Sequence, residues 1–374
     1  MTILRRSTWY LAFALLLMEA CSAEYPLHSA NIRVAVPPVL GPALSSVVGS
    51  ERAGYSVEFV EMHPYARARD LEVLLFASDS LAFQGVVIPG RSVTLLRPWL
   101  VRMSVKLPAE IRGDIARTMD PSSPLAFPLT ADFGVLVTRS DLWRSLALPP
   151  PTSLAGLREA LLALRSRESA TRSAIVADLP VDELFWDLSW SFEGGADPAL
   201  YTFPKVHVLE FIREFRLDRR LASENEVVEE LRTGRSAAAF TSLQRGLRLC
   251  AGDPRLSVLP LPSGSGRALA LYNGWCLAKL SADSEVERRL AHFMALPVQR
   301  QLAAAGWVSV LSTVPVAASG RVAWASTELQ AAPDLGAAGD EIVLGALLDA
   351  TQGPMTAEES LRRGAARLRA QGGQ

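Results

Sequence analysis

Between residues 32 and 60 the apolar positions run in two strand-like blocks around a helical one. Ile32-Arg33-Val34-Ala35-Val36 and Tyr55-Ser56-Val57-Glu58-Phe59-Val60 read as strands, the second alternating with a period of two, and Leu40 to Val48 reads as a helix between them. Asp70 to Phe76 has the apolar content of a buried strand. Residues 127 to 143, FPLTADFGVLVTRSDLW, are strand-like and almost wholly apolar as far as Val137, with a single acid, Asp132, in their middle. They run into a charged, helix-starting segment.

Pro149, Pro150 and Pro151 end that segment, and Thr152 or Ser153 is placed to cap a helix from Leu154 to Arg167. A short strand at Ile175 to Ala177 leads to a helix from Asp182 to Phe192. On it Trp186 and Trp190 lie four apart, hence on one face, and Gly194-Gly195 end it through the left-handed conformation glycine tolerates. Helices follow at Val206 to Phe215 and Glu224 to Thr233, then a small-residue strand after Gly234 and an extended run from Leu256 to Pro262. Leu269 to Ala278 reads as one further strand. Ser284 to Met294 and Val298 to Ala304 read as helices, the second ended by Gly306-Trp307, and Ala357 to Ala370 as an arginine-rich amphipathic helix. No internal repeat is visible. Strands alternating with helices favour an α/β sheet architecture.

At 374 residues the chain exceeds what one core of ordinary size organises, so two lobes are expected. A hydrophobic fraction of 49% with 21% charged residues belongs to a folded chain. The 38 basic and 39 acidic residues nearly cancel and are spread along the chain, which argues against a nucleic-acid partner. Only Lys106, Lys205 and Lys279 are lysines.

Arg5 and Arg6, the apolar run from Trp9 to Met18, and Ala20 before Cys21 have the form of a secretory signal over residues 1–20, and the run is shorter than the roughly 20 residues a membrane span needs. Met18-Glu19-Ala20-Cys21 resembles a lipobox with Cys21 as lipid acceptor, although Glu19 departs from the usual residue there. A plain cleaved signal is the alternative. Either way the chain is expected to be exported to the periplasm or cell envelope. Cys250 and Cys276 are then left in an oxidising compartment and read as free thiols, with pairing open.

Several stretches, in order, resemble the family 1 extracellular solute-binding proteins. Phe127-Pro128 with Gly134 to Leu142 resembles a strand crossing between lobes. Pro151-Thr152 with its helix, Gly194-Gly195, Gly234 to Ala239 and Leu259 to Pro262 resemble later steps of the family pattern. Asn273-Gly274-Trp275 to Ser281 resembles a second crossing strand, and Ser284 to Val310 a pair of helices. The resemblance covers Ile32 onward and rests on order, since no single motif is invariant. It implies a two-lobed α/β fold of the type II periplasmic-binding-protein kind, with crossing hinge strands joining lobe 1 (31–132 plus 270–318) to lobe 2 (133–269 plus 319–374). It also implies capture of a small ligand, most readily a carbohydrate, and delivery to the transmembrane subunits of an ABC-type permease by a monomer. A sensory or structural lipoprotein on the same fold is the alternative. The stretch between Glu61 and Asp70 is short for the helix usual there, so lobe 1 reads as trimmed, and Leu243-Gln244 stand where relatives often carry a cleft tryptophan.

On this alignment Asp132 faces the cleft, where a carboxylate can accept hydrogen bonds from ligand hydroxyls; the competing reading is that it bonds local backbone. Trp275 and Trp307 are the stacking candidates for the apolar face of a sugar, with Phe133, Asn273, Tyr65 and Tyr272 as weaker ones. The spacing of Trp186 and Trp190 points to a helix core, Trp190 staying a ligand candidate because Gly194-Gly195 can border the cleft, and Arg67 or Arg69 is placed to meet an anionic ligand. His28, His63, His207 and His292 form no spaced metal pair, and neither a phosphate loop, a dinucleotide fingerprint nor a nucleophile elbow is present. No cofactor, no metal and no enzymatic activity are expected.

Overall fold

The computed structural model describes residues 32–50, 57–62, 83–145, 147, 149–167, 174–218, 224–264 and 266–372. The expected signal segment with Cys21, the strand expected at Asp70 to Phe76, the stretch before it, and Tyr65, Arg67 and Arg69 lie outside the described residues. No described helix is long and apolar enough to cross a membrane.

The first half of the chain contributes β1 (Ile32–Val36), α1 (Gly41–Ser50), β2 (Val57–Glu61), β3 (Gly85–Pro89), α2 (Gly90–Leu95), β4 (Ala126–Pro128), β5 (Gly134–Arg139), α3 (Leu154–Arg167), β6 (Ile175–Ala177) and α4 (Val181–Glu193). The second half contributes α5 (Phe203–Glu214), α6 (Glu224–Arg232), β7 (Ala238–Ser242), α7 (Leu243–Gly252), β8 (Leu256–Leu259), β9 (Ala268–Leu271), β10 (Trp275–Lys279), α8 (Ser284–Ala291) and α9 (Leu296–Ala304). It ends with α10 (Arg321–Ala325), β11 (Thr327–Gln330), α11 (Gly336–Thr351) and α12 (Ala357–Gly372).

Two sheets result. One has the order β2-β1-β3-β10-β4, the other β6-β7-β5-β8. In the first, β1 runs parallel to β2 and β3, and β10 returns antiparallel between β3 and β4. Strands covered on both faces need unbroken apolar runs rather than alternation, which accounts for the buried Val34, Ala35 and Val36 of β1 and Val86, Val87 and Ile88 of β3. β2, the edge strand, keeps the alternating composition of a half-exposed element. In the second sheet the small residues of β7 sit between β5 and β6, and all six residues of β5 are buried.

The 127–143 run is not one strand. β4 belongs to the first sheet and β5 to the second, with only Leu129 to Phe133 between them. The same correction applies to Leu269–Ala278. It breaks into β9, which pairs with β11, and β10, which joins the first sheet. The break lies at Tyr272-Asn273-Gly274, where the amides change partners: Tyr272 N donates to Gln330 O at 2.9 Å and Asn273 N to Asp132 O at 2.9 Å. Gly274 is required there, because a Cβ would lie 1.9 Å from Thr130 O. At each of these breaks the chain passes from one sheet to another.

Two of the three lysines are interior. Lys279 Nζ donates to Glu287, whose carboxylate also accepts from Val105 N at 2.6 Å and Ser104 Oγ at 2.8 Å. Lys205 Nζ, fully buried, donates to Asp197 O at 3.0 Å and lies 3.1 Å from Glu193. Cys250 and Cys276 are free thiols, and burial pushes them up to about 11 and about 12.

Candidate functional site

Asp132 occupies the first crossing segment, half-buried. Its Oδ1 accepts from Phe133 N and from Gln244 N, both at 3.0 Å, and Ser242 contributes a side-chain bond. Gln244 lies in the first turn of α7, so the carboxylate is held at a helix N-terminus, where orphan amides and the helix dipole favour negative charge. Burial pushes Asp132 up to about 6, against the pull of Gln244 N, Ser242, Phe133 N and the Arg245 charge. The acid in the middle of the apolar stretch thus ties the crossing to the second lobe. The partners the structure gives it are those of the backbone-bonding reading.

Gln244 extends this tie. Its side-chain Nε2 donates to Gly306 O, and its Oε1 accepts from Val308 N at 2.9 Å, so one side chain grips the backbone on both sides of half-buried Trp307. Gly306 takes φ +89°, a left-handed turn favouring glycine, as the chain leaves α9. Trp275, also half-buried, opens β10. Its carbonyl accepts from Leu129 N at 2.7 Å and its amide donates to Thr130 Oγ1 at 2.9 Å. Asp132, Asn273, Trp275 and Trp307 are therefore joined through one backbone network at the crossing.

The other expected site residues are placed differently. Phe133 is buried edge-on against Trp324, centroids 5.3 Å apart, and the Arg112 guanidinium lies over the Trp324 ring, 4.5 Å from its centroid. Trp190 is 1% exposed, packs against Trp186 at 5.6 Å and donates its Nε1 to Asp197 O at 2.9 Å. Its ring is in the lobe core with its one donor satisfied, which corrects its assignment to the cleft. Tyr272 is buried and donates to Thr130 O at 2.8 Å.

Sequence reasoning passed over an acidic seam beside the crossing. Glu183 and Asp187, one turn apart on α4, are both buried. Glu183 Oε1 accepts from Asn273 Nδ2 at 2.6 Å, and Oε2 lies 3.3 Å from Arg91 Nη1; Asp182 Oδ2 lies 3.5 Å from the same nitrogen. Asp187 Oδ1 accepts from Leu271 N at 2.6 Å, and its Oδ2 is pressed against Gly134, where a Cβ would lie 2.2 Å away. Nearby, Asp178 accepts from Thr241 Oγ1 at 3.1 Å and Arg245 Nη1 at 2.6 Å. Burial pushes Glu183 up to about 7, with Arg91 opposing, and holds Asp187 well above the carboxylate range. The readable signal was two carboxylates four apart inside an otherwise apolar helix, VDELFWDLSW.

A separate small pocket, lined by Thr94, Arg97, Arg102, Asp120 and Tyr272 among others, touches neither Asp132 nor the seam acids. Among the described residues no three His, Cys, Asp or Glu side chains are placed to hold a metal ion.

Two α/β sheets joined by crossing segments, with β10 inserted antiparallel into the first, are an arrangement found among solved structures. The chain has the two-lobed fold of the ABC-transporter solute-binding proteins. A solute-binding protein from Thermotoga lettingae bound with α-D-tagatose matches with TM-score 0.72 and 15% identity, over 91% of this chain and 99% of that one. Maltose-bound MalE3 of T. maritima matches with TM-score 0.73 and 16% identity, over 92% and 100%. UgpB from Mycobacterium tuberculosis in complex with glycerophosphocholine matches with TM-score 0.72 and 18% identity, over 91% and 98%. No family model and no curated protein sequence matches the chain.

Proposed function

We propose that this protein is an extracytoplasmic solute-binding protein that captures a small carbohydrate or polyol between its lobes and delivers it to an ABC-type permease. The observation that carries the reading is the lobe crossing itself, where half-exposed Trp275 and Trp307 are fixed in one network with Asp132 and Asn273. Aromatic rings beside fixed polar groups are what a sugar needs, an apolar face to stack on and partners for its hydroxyls. The similar folds bound to tagatose and maltose support that ligand class. Lobe 1 is assigned to 31–132 with 270–318 and lobe 2 to 133–269 with 319–374, closing about the crossing because the ligand binds the closed form more tightly. The reading includes export of a monomer after cleavage of residues 1–20 and lipid attachment at Cys21, and it requires no chemistry on the ligand.

Thermal unfolding of the mature protein against a panel of sugars, polyols and small anions tests it, since a ligand bound only by the folded state raises Tm. A saturable rise with a sugar or polyol is expected, and it should be reduced in Trp275→Ala. A folded protein whose Tm no panel member moves would overturn the capture reading in favour of a sensory or structural role.

A further inference from the structure

The strongest unexplained arrangement is the contact of α2, which follows β3 of the first sheet, with α4, which follows β6 of the second. Arg91 on α2 is the cation at this seam, its side chain 22% exposed. Its Nη1 lies 3.3 Å from Glu183 and 3.5 Å from Asp182, and Asp340 of α11 and Asp187 add their fields to it. Glu183 also bonds Asn273 in the second crossing segment, and faces Asp132 and Asp178. Arg245 is engaged by Asp178, and Lys205 of α5, packed on the other end of α4, is engaged by Glu193. Among the described residues, Glu183 and Asp187 therefore share burial, one helical turn of separation and the guanidinium of Arg91, whose close ion pairs go to Glu183 and Asp182. Two ionised carboxylates in that setting carry an uncompensated desolvation cost.

We infer that the α2–α4 seam is a proton-linked latch: the Glu183–Asp187 pair holds a proton while the lobes are closed across the Arg91 bridge, and releases it as the lobes part and Glu183, the member of the pair at the seam, reaches solvent. The titration directions agree. Burial keeps Glu183 at about 7, Asp340 at about 6 and Asp187 well above the ordinary value, whereas solvated carboxylates titrate near ~4. Closing then takes up protons, so closure is favoured on the acid side and weakens as pH rises through the closed-state values. Asn273, which anchors Glu183, belongs to the crossing, and Leu271, which anchors Asp187, ends β9 immediately before it, so the proton sits beside the hinge.

Small-angle X-ray scattering of the mature protein without added solute, from pH 5 to pH 9, reads this directly. The radius of gyration should increase with pH through a transition near pH 7. Glu183→Gln combined with Asp187→Asn keeps the hydrogen-bond acceptors and removes the titration; it should stay compact at every pH, with circular dichroism confirming the fold. A wild-type radius that does not change with pH, or a rise that persists in the double variant, overturns the latch. If the double variant does not fold, Asp187→Asn alone decides, since an unchanged transition overturns the inference equally. No solute is present, so failure here leaves the capture reading standing, and failure of capture leaves this result intact.

Discussion

Gln244 N donates to Asp132 Oδ1 at 3.0 Å, joining the first crossing segment to the first turn of α7, the helix that follows β7. Because the Gln244 side chain also holds the backbone around Trp307, a change at Asp132 reaches an aromatic it does not touch. Ser242 is the N-cap of α7, and Asp132 satisfies a further amide of its first turn from outside the helix. Losing such a bond costs about 0.5–2 kcal/mol, while asparagine keeps an acceptor. Asp132→Ala should therefore lose about that much in urea denaturation and Asp132→Asn less. The raised value of about 6 sets the pH dependence. The folded state holds the Asp132 proton more tightly than the unfolded one, so this group's contribution declines as pH rises from the ordinary carboxylate range to about 6.

Glu287 should behave in the opposite sense. Burial works against its charge, but Lys279, Ser104 and Val105 together hold it down at about 2. Its stabilisation is present above the ordinary Glu range and is lost as pH falls toward about 2. Breaking a buried pair on one side costs about 3–5 kcal/mol. Denaturant unfolding of Glu287→Ala at pH 7 should show a loss of that order, and the gap to wild type should narrow at pH 3.

Lysine chemistry offers an independent check on the packing. Lys205 and Lys279 are 0% and 3% exposed, while Lys106 lies at the surface. Brief acylation of the native protein, mapped by mass spectrometry, should modify Lys106 and spare the other two until denaturant is added. Equal labelling of all three in the native state would contradict the interior ion pairs.

Gly134 and Asp187 are coupled by contact, because any Cβ at 134 meets Asp187 Oδ2. Gly134→Ala should destabilise by about 1–3 kcal/mol, the usual range for overpacking. Much of that loss should be recovered in the Asp187→Ser background, and a double-mutant cycle with no coupling energy would refute the contact.

The elements themselves were largely legible, because unbroken apolar runs such as β3 and β5 and the glycine stop at Gly194 follow local rules. What could not be read locally was where one apolar run serves two sheets. Residues 127–137 and 269–278 each look continuous, and only the partners of Asp132, Asn273 and Gly274 reveal the breaks. The half-exposed Trp275 and Trp307 were legible as aromatics beside expected strand and helix ends. The helical spacing of Trp186 and Trp190 pointed to the core in which Trp190 lies; its cleft assignment rested on nearness to the Gly194-Gly195 loop, and that nearness does not turn its ring outward. The acids at 183 and 187 were hidden inside a helix whose other residues match a core pattern.

The most direct test of the account is a calorimetric titration of the mature protein with neutral sugars and polyols, compared between wild type and Trp275→Ala. One saturable site for at least one of these ligands is expected, with affinity reduced about two- to tenfold in the variant, as loss of about 0.5–1.5 kcal/mol of aromatic contact implies. Folded wild-type protein that binds none of them, or binding equally tight in Trp275→Ala and Trp307→Ala, would contradict a carbohydrate site at the lobe crossing.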